Sequence, residues 1–413
     1  MFSKRGFSVV CALGLAAATG GAATMTITPK AGVPKDSASL AEAKAWLETK
    51  VPAMISACRR TMGDGTAAYP PQVGSGYEAF WLRDYAYILE GGALYIPQAE
   101  LLAAVQVFLN AQRADGACVD CVKFDGTPIY KPGYGSMGEN PVADGSPFTV
   151  AVVYLTWKAT GAASLLATNI LDKLVLAMEV VPRNPVTGLV FIDPAKAWDR
   201  CAYGFTDSIR KTGDCFFESL LEVEASTRLA EMLTAAGRAQ DAQTFTQRAS
   251  AVTEQINTVF WDETLRLYRA ATVRCKEGDV WGSAFAVWLG VAPSERADKI
   301  AAALKANHTG LTQKGQLRHT PPGVYWEMGC TRDTYQNGGF WGTPVGWYAV
   351  ALNRIDPALA DQVIIDLVND FATRGVGEWV FGDRVALPQG YLSSATLPLA
   401  GMRRLKDERE KKR

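Results

Sequence analysis

Apolar residues recur at helical spacing along nearly the whole chain. Leu40, Ala43, Leu47 and Val51 share one face of a first helix expected from Ser39 to Arg60, kinked at Pro52 and capped at Asp36-Ser37. The same spacing predicts helices over Asp84–Leu94, Gln98–Gln112, Phe148–Thr160, Ser164–Val181, Gly213–Ala236 and Gln240–Phe260. It continues through Trp281–Leu289, Ser294–Ala306, Gly339–Leu352, Ala358–Thr373 and Tyr391–Leu405. Short turns at Pro97, Gly161, Gly237, Pro293 and Pro357 join these helices in pairs, whereas long loops rich in glycine and aromatics precede each pair-opening helix. The repeat is roughly 55–70 residues. Pair-opening helices are rich in Gly, Ala and aromatics on most sides, as helices buried all round should be, whereas Ala43–Lys50 and Gln240–Gln255 are amphipathic. The expectation is an all-α fold, an (α/α)6 toroid of six helical hairpins with its long loops on one face. No shift in composition marks a domain boundary, so residues 24–413 are read as a single barrel domain, with a solvated or frayed tail from Lys406 to Arg413.

The first residues stand apart. Lys4 and Arg5 precede an apolar run from Phe7 to Ala18, and Gly21-Ala22-Ala23 supplies small residues for cleavage. Residues 1–23 therefore read as a signal peptide, and the protein as exported, periplasmic or secreted. No later stretch is apolar for the roughly 18 residues of a membrane span. Across 413 residues, 42 basic and 42 acidic side chains leave a formal net charge of zero, which argues against a nucleic-acid partner. Oligomeric state is open. Of eight cysteines, Cys11 falls in the signal, and Cys118 with Cys121, Cys201 with Cys215, and Cys275 with Cys330 are spaced as loop staples, leaving Cys58 over. Cys118-Val-Asp-Cys121 also has zinc or redox spacing, but a second ligand pair is missing and histidine occurs only at 308 and 319. Neither a metal nor a cofactor is expected.

The loops ahead of the pair-opening helices carry the candidate chemistry. Trp81-Leu-Arg83-Asp84, Asp144-Gly-Ser, Phe205-Thr-Asp207-Ser, Asp279-Val-Trp281, Tyr335-Gln336-Asn337-Gly-Gly-Phe-Trp341 and Glu378-Trp379 would meet in one funnel if the ring closes. Carboxylates together with flat aromatic faces suit a polyhydroxylated ring, held by stacking and by bidentate hydrogen bonds. Burial of Asp207 in its aromatic loop would keep its proton near neutral pH; the plainer reading is a turn cap, and Asp214 and Glu218 on the same segment are rival acids. For Arg83 and Asp84 the plainer reading is an ion pair between hairpins; for Glu378, a salt bridge to Arg374 or Arg384; for Trp341, a core residue.

These segments resemble the six-hairpin glycosidases, the superfamily of trehalases, glucoamylases and processing α-glucosidases. Trp81-Leu-Arg-Asp84 is similar to their Trp-x-Arg-Asp motif, and Gly204-Phe-Thr-Asp207-Ser resembles the segment that supplies the general acid. Tyr335 to Trp341 resembles the Asn/Gly/Trp segment lining the sugar pocket, and Gly377-Glu378-Trp379 with Tyr391-Leu-Ser-Ser resembles the late segment that supplies the general base. The resemblance implies an inverting glycoside hydrolase of α-glucoside type with a carbohydrate substrate, Asp207 as acid and Glu378 as base. It implies sugar contacts from Trp81, Arg83, Asp84, Asp144, Trp281, Gln336, Asn337, Trp341 and Trp379. The acid segment lacks the flanking Trp common in trehalase-like members, and the base segment is short. Alternatives on the same barrel are a phosphorylase, which needs a cationic phosphate site, an isomerase, which needs paired histidines, and a polysaccharide lyase. A non-catalytic glycan-binding protein is the alternative from another class.

Overall fold

The computed structural model describes residues 38–74, 76–196, 204–388 and 390–411. The expected signal peptide, the Asp36-Ser37 cap and Cys201 lie outside the described residues. Lys35 to Arg413 form one compact unit. Its helices are α1 (Leu40–Cys58), α2 (Leu82–Gly92), α3 (Gln98–Asn110), α4 (Gly145–Thr160), α5 (Thr168–Glu179), α6 (Phe216–Ala235), α7 (Ala239–Val259), α8 (Val280–Leu289), α9 (Ser294–Ala306), the single turn α10 (His308–Leu311), α11 (Val345–Leu352), α12 (Pro357–Arg374) and α13 (Ser393–Lys411).

Helices α2, α4, α6, α8, α11 and α13 pack each against the next, and α13 returns to α2, closing an inner ring. The others lie outside it: α3 and α5 against α4, α7 against α6, α9 against α8 and α11, and α12 against α11. Helix α1 completes the outer layer beside α12 and α13, so the first and last helices form the sixth hairpin. This is the (α/α)6 barrel, and the contrast between layers follows the sequence. Every residue of α11 is buried, whereas α7 buries the single stripe Ala242, Phe245, Ala249, Val252 and Ile256. Glycine permits close inner contacts: a Cβ on Gly346 of α11 would lie 2.5 Å from the Leu397 carbonyl oxygen of α13.

Side chains start the helices where the chain turns. Ser39 accepts from the Glu42 N–H at 3.3 Å and the Glu42 carboxylate accepts from the Ala38 N–H at 2.7 Å, a reciprocal capping box. Asp279 caps α8 through the Gly282 N–H at 2.7 Å, and Asp356 caps α12 through that of Leu359 at 3.0 Å.

The structure corrects several expectations. The helix expected from Gly339 starts only at Val345, because the Phe340 and Trp341 N–H groups donate instead to the carbonyls of Val380 and Leu317, both at 2.9 Å. The segment expected as one helix from Ser164 is a 3-10 turn, Ala163–Leu166, followed by α5. The C-terminal tail is helical to Lys411, docked by Arg409 on Asp361 at 2.8 Å and Asn353 at 2.9 Å. The long loops fold into short antiparallel ribbons, β1 (Ala79–Trp81) with β2 (Cys121–Lys123) among them, which satisfies their backbone groups. Cys118, Cys121, Cys275 and Cys330 are free, so neither of those two expected staples forms; Cys275 hydrogen-bonds the Met328 carbonyl while Cys330 meets Ser208. Cys215, expected to bridge Cys201, is a buried free thiol. Among the described residues no helix is long and apolar enough to cross a membrane.

Candidate active site

The start of α2 and the loops ahead of α4, α6, α11 and α13 line a cavity of about 90 Å³. Strand β1 runs directly into α2, with Trp81 as the N-cap residue, and this places Trp81, Arg83 and Asp84 on the cavity wall. Asp144 stands at the corresponding N-cap of α4. The Arg83 Nε donates to Asp144 Oδ2 at 2.9 Å, and Arg83 Nη2 lies 3.6 Å from Asp120 Oδ1. Asp144 Oδ2 also accepts from the Gly204 N–H at 3.0 Å, which ties the loop carrying Asp207 to the second hairpin. Gly204 and Phe205 are both left-handed, with φ of 78° and 62°, and this bend turns Asp207 into the cavity. A side chain at 204 would run into the Phe217 ring, 2.5 Å from the Cβ position.

Two carboxyls, Asp84 and Asp207, line this space, and two more, Glu378 and Asp120, stand just behind its wall. Asp207 accepts from the Gln336 side-chain amide. Asp84 Oδ1 accepts from the Tyr391 hydroxyl at 2.7 Å, and Glu378 Oε1 accepts from the Tyr77 hydroxyl at 2.7 Å. Tyr77 and Tyr391 line the cavity and Glu378 stands one hydrogen bond behind Tyr77, within electrostatic reach of Asp84 and Asp207. Asp120, the fourth, accepts from the Gly133 N–H at 3.2 Å, and Gly133 and Met137 cover the cavity from the loop above.

Burial is the main influence on these groups. It pushes Glu378 up to about 8 against the donation from Tyr77, with the charges of Asp84 and Asp207 adding to the rise. It pushes Asp120 up to about 7 and Asp84 up to about 6, with Arg83 opposing in both cases. Asp207 is raised by the same burial, opposed by Arg83 and by Gln336. Burial thus raises the proton affinity of all four acids, and the Arg83 charge offsets part of that rise at Asp84, Asp120 and Asp207.

The rival acids are engaged elsewhere. Asp214 accepts from Asn184 at 2.8 Å and Thr187 at 3.2 Å, and Glu218 is locked to Lys211 at 2.7 Å in a pair with both side chains buried.

The structure sorts the expected sugar contacts. Trp81, Arg83 and Asp84 line the cavity, and Asp144 holds Arg83 from behind. The other five do not line it. Trp281 is wholly buried and stacks on His319 with ring centroids 3.4 Å apart. Trp341 is also wholly buried, its indole N–H donating to the Tyr335 carbonyl at 3.0 Å, so it fixes a cavity tyrosine. Asn337 accepts from the Trp326 N–H at 2.9 Å and donates to the Cys330 carbonyl at 2.7 Å, pinning its own loop. Trp379 lies under Arg384, and Gln336 is buried behind Asp207. Large apolar faces fill the gaps between inner helices before they are available to a ligand. Sequence reasoning missed Tyr335 and Tyr391, although both begin motif segments, Tyr77, four residues ahead of the Trp81 motif, and Asp120, which lies between the two cysteines read as a staple. Neither histidine lines the cavity: His308 bonds the Tyr348 hydroxyl at 2.9 Å, and His319 is buried under Trp281. Among the described residues no group of His, Cys, Asp and Glu could hold a metal ion.

No protein-family model matches the chain, and no curated protein does. Solved structures do. A GH63 mannosylglycerate hydrolase from Thermus thermophilus superposes with a TM-score of 0.64 at 16% identity over 86% of this chain and 99% of that one. A rhamnosidase from Klebsiella oxytoca gives 0.61 at 16% identity over 91% and 66%. A metal-independent α-mannosidase from Streptococcus pneumoniae gives 0.57 at 12% identity over 88% and 94%. The chain thus has the six-hairpin barrel fold that these glycosidases share.

Proposed function

We propose that the protein is a glycoside hydrolase that cleaves the terminal sugar from a short α-linked glycoside with inversion, Asp207 acting as general acid and Glu378 as general base. One observation carries this reading: two buried carboxyls from the third and sixth hairpins approach one small cavity, each held on one oxygen by a neutral donor, Gln336 for Asp207 and Tyr77 for Glu378. In an inverting reaction the neutral acid gives its proton to the leaving oxygen while the carboxylate takes one from the attacking water on the opposite face. Glu378 suits the second role in its ionised form, which the Tyr77 hydroxyl favours by donating to Oε1; with burial pushing the pKa up to about 8, activity should climb toward alkaline pH as that form grows. Asp207 suits the first, because burial favours its protonated form and Arg83 is close enough to steady the carboxylate it becomes. Arg83 and Asp84 are positioned to orient the sugar hydroxyls. The fold neighbours' own ligands and substrates, mannosylglycerate, rhamnose and α-1,6-mannobiose, set the range of sugars to try beside α-glucosides.

The test is hydrolysis of a panel of α- and β-linked glucosides, mannosides and rhamnosides, mannosylglycerate included, with the first-formed anomer followed by NMR. Inversion is expected, and a retained configuration would sink the assignment. Asp207→Asn and Glu378→Gln should each lower turnover by several orders of magnitude without unfolding the barrel. Binding without turnover, unaltered in both variants, would instead make this a glycan-binding protein. We further propose that the protein is exported and that residues 1–23 are removed. N-terminal sequencing of the protein from its native host checks this, and a retained Met1 would overturn it.

A further inference from the structure

The loop that presents Asp207 is gripped by one side chain from a different hairpin. Gln336 is wholly buried, and its Oε1 accepts from both the N–H of Ser208 at 2.9 Å and the Ser208 hydroxyl at 2.8 Å. A backbone N–H can only donate, so the amide has one orientation: oxygen toward Ser208, NH2 toward Asp207. That NH2 donates to Asp207 Oδ1. The grip is itself rigidly mounted. The Gln336 carbonyl accepts from the Trp326 indole at 2.9 Å, and the neighbouring Asn337 is bonded to the Trp326 N–H and the Cys330 carbonyl.

We infer that Gln336 is a positioning residue for the proton donor, fixing Oδ2 of Asp207 as the oxygen that carries the transferable proton. An NH2 group cannot accept, so Oδ1 is an acceptor in every protonation state and the proton of the neutral acid resides on Oδ2. The loop grip and the oxygen selection come from a single amide, so Asp207 presents one oxygen in one direction to the glycosidic bond. This inference rests on the reading of Asp207 as general acid.

The experiment is the pH dependence of kcat/KM for wild type, Gln336→Glu, Ser208→Ala and Asp207→Asn. Gln336→Glu keeps the shape and the acceptor for Ser208 but replaces the donor facing Asp207. Donation to Asp207 favours its charged form, so its loss raises the Asp207 pKa and moves the alkaline limb upward by about one to two pH units. A tenfold or larger fall in kcat with KM little changed is expected alongside. Ser208→Ala leaves the amide oriented by the Ser208 N–H and should keep the limb in place. An unmoved limb in Gln336→Glu, with Asp207→Asn inactive, overturns the positioning role alone, whereas an active Asp207→Asn overturns the acid assignment itself. If Gln336→Glu does not fold, Gln336→Met, which also lacks the donor, must show the same upward limb or the inference fails.

Discussion

Replacing Glu378 by glutamine should raise the stability of the protein at alkaline pH while destroying its activity. Burial pushes the folded-state pKa of Glu378 from an ordinary 4.5 up to about 8. The folded protein therefore keeps a proton that the unfolded chain has released, and the stability present below about pH 4.5 is lost as pH rises through 8. The shift of 3.5 units (8 minus 4.5) corresponds to a ceiling of about 5 kcal/mol at about 1.36 kcal/mol per unit. Water entering the cavity screens part of that, so an effect on the order of 2–5 kcal/mol is the working figure. Glutamine keeps an oxygen for the Tyr77 hydroxyl and carries no charge at any pH. Any cost of burying its NH2 group is present at every pH and cancels when two pH values are compared. For a folded unit of this size, with an unfolding entropy near 0.8 kcal/mol/K, the gain in Tm relative to wild type should be roughly 3–6 °C larger at about pH 8.5 than at about pH 5. Differential scanning fluorimetry of both proteins at the two pH values reads this directly and needs no substrate. An equal Tm difference at both pH values would refute the account of Glu378 as a buried, proton-holding carboxyl.

Three other changes test neighbouring parts of the argument. Tyr77→Phe removes the donor that favours ionised Glu378, so the acidic limb of kcat/KM should move up by about one to two pH units, and a limb that stays or falls would disconnect Tyr77 from the base. Arg83→Met leaves Asp144 and Asp120 without their shared cation and should cost about 3–5 kcal/mol by chemical denaturation at pH 8; protonation of Asp120 should shrink that loss at pH 5. Gly346→Ala forces a methyl against the backbone of α13, so a loss of about 1–3 kcal/mol is expected, and an unchanged Tm would mean that the inner ring is not packed as described.

The fold was largely legible because barrel position sets composition. A helix ringed by other helices has no polar side, so Gly, Ala and aromatics accumulate in α8 and α11, while α7 needs only one apolar stripe. What local pattern could not show was pairing between distant segments. Phe340 and Trp341 sit in a run with helical composition, yet their N–H groups are taken by Val380 and Leu317, and the helix must wait for Val345. The tryptophans failed for a different reason. A sugar platform and a core filler use the same side chain, and burial alone tells them apart, as it does for Trp281 and Trp341.

The carboxyls were legible and their partners were not, and ring closure explains the division. Asp207 and Glu378 occupy loops ahead of an inner helix and Asp84 the first turn of one, places that follow from periodicity. The groups that tune them come from other hairpins: Tyr77 lies 301 residues from Glu378, Tyr391 lies 307 from Asp84, and Gln336 lies 129 from Asp207. Tyr391 and Asp84 join the last inner helix region to the first, so the hydrogen bond that favours the ionised form of Asp84 against its burial exists only in the closed barrel. A loop read by itself shows that an acid is present. Whether that acid holds its proton depends on the burial and the donors that all six hairpins supply together, so the protonation chemistry of this cavity is a property of the closed ring rather than of any one segment.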